Sequence, residues 1–326
     1  MDLAKSVFQA HVANGAGHVI EQKRLTRHQF RKLLYTAPVS TIVMEACGSA
    51  HYWGREAIEQ RHTVKLLPAQ HVKPYVRNNK TDELDSDGLL RAHGDKTLHP
   101  VPVRSEDLQV LQSLHRIRQI YENQRKALMN LVRGLLREFG VVIPQRVAVF
   151  DREIQRALAS VPTLLRETLT PTVVQITELV KPVREIDQTL LALARENDTV
   201  KQLMTIPGIG VLNSTALYAN VVDIHRYSTG RKFSASLGIV AKVSASGGTI
   251  HLGAITKRGN KYLRMLLIHG GRSVLLAASR KRKAGKGLSS LESWGLEVAV
   301  RRGHNKACVA VANKLARIVW AVWSNG

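Results

Sequence analysis

Eight side chains set the first constraint on this chain. Val110, Leu114, Ile117, Tyr121, Gln124, Leu128, Leu131 and Leu135 follow one another in steps of 4, 3, 4, 3, 4, 3 and 4. Only an α-helix brings such positions onto one face, and this run needs roughly 38 Å of it. Ser105-Glu106-Asp107 supplies the start signal, and Gly140 with Pro144 supplies the stop. A second seam runs through Ile176, Leu179, Val183, Ile186, Leu190 and Leu193. Two heptad seams fit a helical hairpin within one chain, and they fit equally a coiled coil that joins protomers. The spacing does not choose between them.

Ahead of the seam the period changes. Val7 to Ala13 reads as a strand, Gly15-Ala16-Gly17 as a turn, and His18 to Leu25 as a returning strand. Helical spacing covers Arg27 to Tyr35. Ser40-Thr41-Ile42-Val43-Met44 is a short β-branched apolar run, the mark of a buried strand. A helix follows from Gly48 to about Gln60, then a strand over Thr63–Leu67, then a helix with Thr81 as its N-cap. The order β-β-α-β-α-β-α predicts an α/β layer opened by a hairpin. Long helices are expected over 261–279 and 291–322. The fold class is therefore α/β plus α, in three regions: 1–100 α/β, 101–200 helical coiled coil, and 201–326 mainly helical and basic.

Charge narrows the function. The 326 residues carry 48 Lys/Arg against 25 Asp/Glu, a net of +23. Residues 224–326 hold 19 of those cations and only two acids, a local net of +17. Such a segment points to a polyanion, with phosphate contacts that give affinity rather than sequence choice. Two cysteines make no disulfide framework and fit a reducing, cytoplasmic setting. No run of about 18 apolar residues suggests a membrane span, and Met1-Asp2-Leu3-Ala4-Lys5 is no signal peptide.

The candidate chemistry lies in carboxylates. Asp2 starts the first strand, and Glu45 ends the buried strand, where α/β sheets place functional groups. Asp82 and Asp85 lie three apart and share a helix face. Four such acids suit two Mg²⁺ ions, which would activate a nucleophile and stabilise a leaving oxygen. Each of Asp82 and Asp85 also fits a plain first-turn acid, and Glu83 and Asp87 compete with them. Ile206-Pro207-Gly208-Ile209-Gly210 precedes a helix, a pattern that offers backbone N–H groups to phosphate and equally forms a connecting turn. Ser246 before Gly247-Gly248 reads, by spacing alone, as a serine on a flexible glycine-rich loop. No histidine or cysteine shows zinc spacing.

Taken in order, these residues carry a resemblance. Asp2-Leu3-Ala4-Lys5, Met44-Glu45-Ala46, Lys80-Thr81-Asp82-Glu83-Leu84-Asp85 and Thr205-Ile206-Pro207-Gly208-Ile209-Gly210 come first. Phe233 to Gly238, Ser246-Gly247-Gly248, Lys257-Arg258-Gly259-Asn260 and Ala312-Asn313-Lys314 follow. The chain resembles, over essentially its whole length, the DEDD insertion-sequence transposases of the "one-ten" family. It is most similar to the subgroup typified by elements from intracellular bacteria.

The resemblance implies a RuvC-like, ribonuclease-H-fold N-terminal domain, a coiled-coil middle and a C-terminal transposase domain with a helix-hairpin-helix-like turn. It implies Asp2, Glu45, Asp82 and Asp85 as Mg²⁺-binding acids and Ser246 as the nucleophile, with Ser244 as the alternative. It implies a recombinase that cuts and rejoins donor and target DNA, guided by a bridge RNA, as a homo-oligomer (dimer or tetramer). One protomer's acids would meet another's serine. Gly208, Gly210, Lys257, Arg258, Lys261, Arg264, Arg280, Lys281, Arg282 and Lys283 are the expected nucleic-acid contacts. The family pattern has strand residues ending Gly-Ile-Asp at the first acid; Met1 stands there instead, so the first strand is expected to lack its N-terminal half. Two other readings stay open: a metal-dependent, junction-resolvase-like nuclease that needs no serine, and an inactive nucleic-acid-binding remnant.

Overall fold

The computed structural model describes residues 1–326 except Ala4, 77–81, Lys96 and Gly247, and it describes the backbone but not the side chains of 82–85. The chain forms two compact units, Met1–Asp107 and Leu108–Gly326.

In the first unit, β1 (Asp2–Leu3), β2 (Val7–Ala13) and β3 (Val19–Thr26) form an antiparallel sheet. Thr26 then closes a capping box with Gln29 and starts α1 (Arg27–Thr36). β4 (Thr41–Glu45) and β5 (Thr63–Leu67) pair in parallel around α2 (Ala50–Glu59), as a β-α-β unit requires. The Met1 amine donates to the Val43 carbonyl at 2.9 Å, and the Cys47 thiol reaches the Leu3 carbonyl at 3.9 Å. β1 therefore lies beside β4, where the three-stranded sheet β1-β2-β3 meets the parallel pair β4-β5.

Short α3 (Ala69–Val72) follows, then α4 (Asp82–Gly94), which packs across the strands. The expected N-cap Thr81 lies outside the described residues. Phe8, Phe30 and Trp53 fill the core, their ring centroids 5.0–5.4 Å apart in edge-on and tilted pairs.

The second unit is helical apart from one hairpin. α5 (Glu106–Glu138) buries Leu111, His115, Met129, Val132, Arg133 and Leu136. The inward face is offset from the heptad seam. The buried residues lie mostly one position after the heptad seam, a rotation of about 100°, so Val110, Ile117, Leu131 and Leu135 are exposed. The reason is chemical: His115 finds partners inside the unit, and its stripe goes inward. α6 (Val147–Ala159) and α7 (Thr163–Glu178) close a separate small core on the C-terminal half of α5. α8 (Val180–Glu196) buries Val183 and Leu190 of the second seam.

α9 (Asp198–Met204), α10 (Val211–Val221) and α11 (Gly230–Ser236) lead to β6 (Ala241–Ser246) and β7 (Thr249–Ile255), an antiparallel ribbon. α12 (Lys261–Lys283), α13 (Ser290–Arg302) and α14 (His304–Ser324) complete the main core. The single helix expected over 291–322 is broken at Gly303, whose φ of +84° ends α13 and redirects the chain. α14 is, among the described residues, the one helix long and apolar enough to cross a membrane. Its Ala307, Cys308, Val311, Ala312, Leu315, Ala316 and Val319 instead fill the unit's core.

Candidate functional site

Asp2 lies in β1 directly opposite Gln9 of β2. Glu45 ends β4 opposite Leu67, at the edge where the strand gives way to the loop before α2. Both are half-buried. The third contributor is α4. Its Ser86 hydroxyl, fully buried, donates to the Gln9 carbonyl at 3.2 Å. Positions 82, 85, 86 and 89 share one helical stripe, and Ser86 and Leu89 of that stripe are buried. The strand that pairs with Asp2 is thus bonded to the helix turn that follows positions 82 and 85. The side chains of Asp82 and Asp85 lie outside the described residues. Among the described residues, no three His, Cys, Asp or Glu side chains gather to hold a metal. The expected donor set is wholly carboxylate, hard oxygen of the kind Mg²⁺ takes, and its two described members sit on adjoining strands.

Ser246 belongs to the second unit. The structure corrects its setting from a flexible loop to a strand: it is the last residue of β6, paired with Thr249 of β7. The alternation Val243, Ala245 against Lys242, Ser244, Ser246 has the strand period of two. Every residue of β6 is exposed. Ser244 stands opposite His251 on the same ribbon. The ribbon's base is held by a polar network. Gln112 and Asn260 side-chain amides both donate to the Asn220 side-chain oxygen, at 2.8 and 3.0 Å, and Asn260 caps α12 through the Tyr262 and Leu263 N–H groups.

The glycine turn divides in two. Ile206 and Ile209 are buried, and a Cβ on Gly208 (φ +85°) would sit 2.7 Å from the Gly270 carbonyl oxygen of α12. The absence of a side chain at Gly208 is therefore already required by packing. Gly210 is exposed, caps α10 and has open space around it.

The basic residues also divide. The Arg264 guanidinium donates to the Leu237 and Arg258 carbonyls at 3.1 and 2.9 Å, which stitches the Lys257-Arg258-Gly259 turn to the end of α11. Lys281 binds the buried Glu292 carboxylate at 2.7 Å, holding that acid below the usual carboxylate range together with the Ser289 N–H. Lys257, Arg258 and Lys261 surround the base of the ribbon, and Arg280, Arg282 and Lys283 end α12. Arg280, Arg282 and Lys283 are exposed, and among the described residues none of them forms an ion pair.

One buried cluster escaped sequence reasoning. His115 lies between the Tyr262 hydroxyl at Nδ1 and the Thr215 hydroxyl at Nε2, each at 3.0 Å. Thr215 spends its proton on the Val211 carbonyl, so His115 donates from Nε2 and accepts at Nδ1. Burial, with Arg118 nearby, pulls its pKa from 6.5 to about 4. Arg118 in turn makes a two-pronged pair with Asp187 of α8. A lone histidine among apolar residues carries no sequence signal that would announce this arrangement.

Comparison with known proteins places these features. Residues 1–141 match the DEDD transposase domain model of the IS110 type, described as a transposase, and residues 200–285 match the model described as "Transposase IS116/IS110/IS902 family". A probable family 20 transposase of Pseudomonas aeruginosa is 37% identical over 99% of this chain and 96% of its own length. The transposase for insertion sequence element IS1111A of Coxiella burnetii is 36% identical, over 99% of this chain and 88% of its own. That for element IS1328 of Yersinia enterocolitica is 33% identical, over all of this chain and 96% of its own. With both matched segments in order and whole-length relatives above 30% identity, the chain belongs to the IS110 family of DEDD insertion-sequence transposases.

Proposed function

We propose that this transposase cuts and rejoins DNA by direct attack of Ser246 on a phosphodiester, with the carboxylates of the first unit assisting. The observation that carries the reading is the setting of Ser246: an exposed hydroxyl at the end of a ribbon, inside a stretch from 224 to 291 with fourteen Lys/Arg and no acid. A cationic surface gathers the phosphate backbone, and the serine is presented on it rather than used in the fold.

The step balances without an energy source. The Ser246 oxygen bonds to phosphorus as the bond from phosphorus to a deoxyribose oxygen breaks, and the serine proton ends on the departing oxygen. The phosphoserine link keeps the ester's free energy, so a second DNA hydroxyl reverses the chemistry and rejoins a strand. Asp2, Glu45, Asp82 and Asp85 would hold Mg²⁺, which supplies charge neutralisation at the phosphate. The three-stranded sheet β1-β2-β3 beside the parallel pair β4-β5, with α4 packed across both, supports a RuvC-like, ribonuclease-H reading of this unit.

The exposed seam on α5 supports a homo-oligomer, dimer or tetramer, in which one protomer's acids serve another's serine. The regions 1–100, 101–200 and 201–326 are our functional division of the chain. A bridge RNA that pairs with donor and target DNA would set the site, and the protein would act in the cytoplasm.

The test is recombination between labelled donor and target DNA with Mg²⁺ and RNA transcribed from the element's flank. Ser246→Ala should bind DNA but form neither adduct nor recombinant, while Ser244→Ala keeps both. Cleavage by Ser246→Ala at the wild-type rate would favour the metal-dependent nuclease. Binding without cleavage by any form would favour the inactive remnant.

A further inference from the structure

The β6–β7 ribbon has two unlike faces. In an antiparallel pair, residues directly opposite one another point to the same side, as do residues two apart on one strand. The register Ser244↔His251 and Ser246↔Thr249 therefore gathers Ser244, Ser246, Thr249 and His251 on one face. The register Val243↔Leu252 and Ala245↔Ile250 gathers the apolar side chains on the other. Lys242 sits where the pairing shifts, so alternation alone does not place it. Gly253 does: a Cβ built on it would stand 3.8 Å from the Lys242 Cβ, and Gly253 shares the face of His251. Lys242 is on the serine face.

Solvation does not explain this segregation. Both faces are exposed, and the apolar one bares Val243, Ile250 and Leu252 at 65–71% of their surface. Lys242 and His251 have no hydrogen-bond or ion-pair partner among the described residues, and no acid from 224 to 291 competes for them.

We propose that His251 and Lys242 grip the non-bridging oxygens of the DNA phosphodiester that Ser246 attacks. The inference rests on the serine reading above. His251 is the diagonal neighbour of Ser246 on this face, about 7–8 Å away at Cβ, a span that one phosphate group fills. Lys242 stands four residues before Ser246 on β6, about 13 Å away, and its long side chain reaches toward the same phosphate along the strand. Attack at phosphorus concentrates negative charge on those oxygens, and N–H donors already aimed at them stabilise it more than they stabilise the bound substrate. Thr249, opposite Ser246, borders the same site.

The experiment follows formation of a denaturant-resistant protein–DNA adduct by the full-length protein, in single turnover at saturating DNA, with the equilibrium Kd measured in parallel. His251→Ala and Lys242→Ala should each slow adduct formation about 10- to 100-fold and change Kd less than about threefold. His251→Arg, which restores a donor, should recover most of the rate. A methylphosphonate at the scissile position, which removes the charge, should shrink the difference between wild type and His251→Ala. Because both side chains are exposed, urea midpoints should match wild type. An unchanged adduct rate in both variants, or a loss confined to Kd, overturns the proposal. A wild-type protein that cleaves without any serine-linked adduct overturns the serine reading itself, and this assignment with it.

Discussion

The buried Ser86 hydroxyl donates to the carbonyl of Gln9, the residue that faces Asp2 across the sheet. This one bond fastens α4 to the strand beside the first acid. Ser86→Ala should cost about 1 kcal/mol, seen as a lower urea midpoint with an unchanged slope. If α4 carries acids of the site, the same variant should need more Mg²⁺ for half-maximal DNA cleavage. A Mg²⁺ requirement identical to wild type would detach α4 from the site.

His115 makes stability depend on pH. Its pKa falls from 6.5 to about 4 on folding, so between those values the unfolded chain binds the proton and the folded one does not. Stability is therefore full above about pH 6.5 and is lost as pH drops toward 4. His51 in the first unit is likewise lowered to about 4, by burial with Arg104 and Arg55 beside it. Unfolding free energies from urea titration at pH 7.5 and pH 5 should differ by roughly 2 kcal/mol for each such histidine, so the difference should be clearly smaller for His115→Gln than for wild type. Equal pH dependence in the two proteins would contradict the buried neutral imidazole.

Gly208 and Gly270 meet backbone to backbone, and a Cβ on Gly270 would stand 2.5 Å from the Gly208 carbonyl oxygen. Gly270→Ala should destabilise by about 2 kcal/mol or more through overpacking. Gly210→Ala, with open space around it, should leave the midpoint within about 0.5 kcal/mol. DNA binding measured on the stable Gly210 variant then reports on the turn's N–H groups without interference from packing.

The unpartnered α5 seam makes a prediction about assembly. Val110, Leu131 and Leu135 are 57%, 52% and 38% exposed, on one apolar stripe of the kind that marks an interaction surface. Leu131→Glu with Leu135→Glu should leave the helical circular dichroism intact and reduce the mass in light scattering to that of one chain. A mass unchanged from wild type would assign oligomerisation to another surface.

Sequence reading reached the α/β order of the first unit because its signals are local: β-branched runs and turn glycines. It reached the existence and length of α5 for the same reason. Spacing left open which face turns inward, since that depends on Tyr262, Thr215 and Asp187, distant residues that give His115 and Arg118 partners. The ribbon was hidden in another way. Serine, alanine and glycine have weak strand propensity, so Ala241 to Gly253 reads as loop although its period of two is visible. Gly303 shows the limit at a helix break, where one left-handed glycine ends a periodic pattern that otherwise runs on. The roles given to the acids and the serine come from the family resemblance carried by motif order. Their chemistry was not legible by spacing, because they belong to different compact units.

The most direct measurement is the identity of the DNA-linked residue. Wild-type protein would be incubated with Mg²⁺, flank-derived RNA and donor and target DNA, trimmed with nuclease and protease, and the nucleotide-bearing peptide sequenced by mass spectrometry. The account predicts one modified peptide with the nucleotide phosphate on Ser246, absent from Ser246→Ala. A nucleotide on any other side chain, or recombination with no peptide adduct at all, would contradict it.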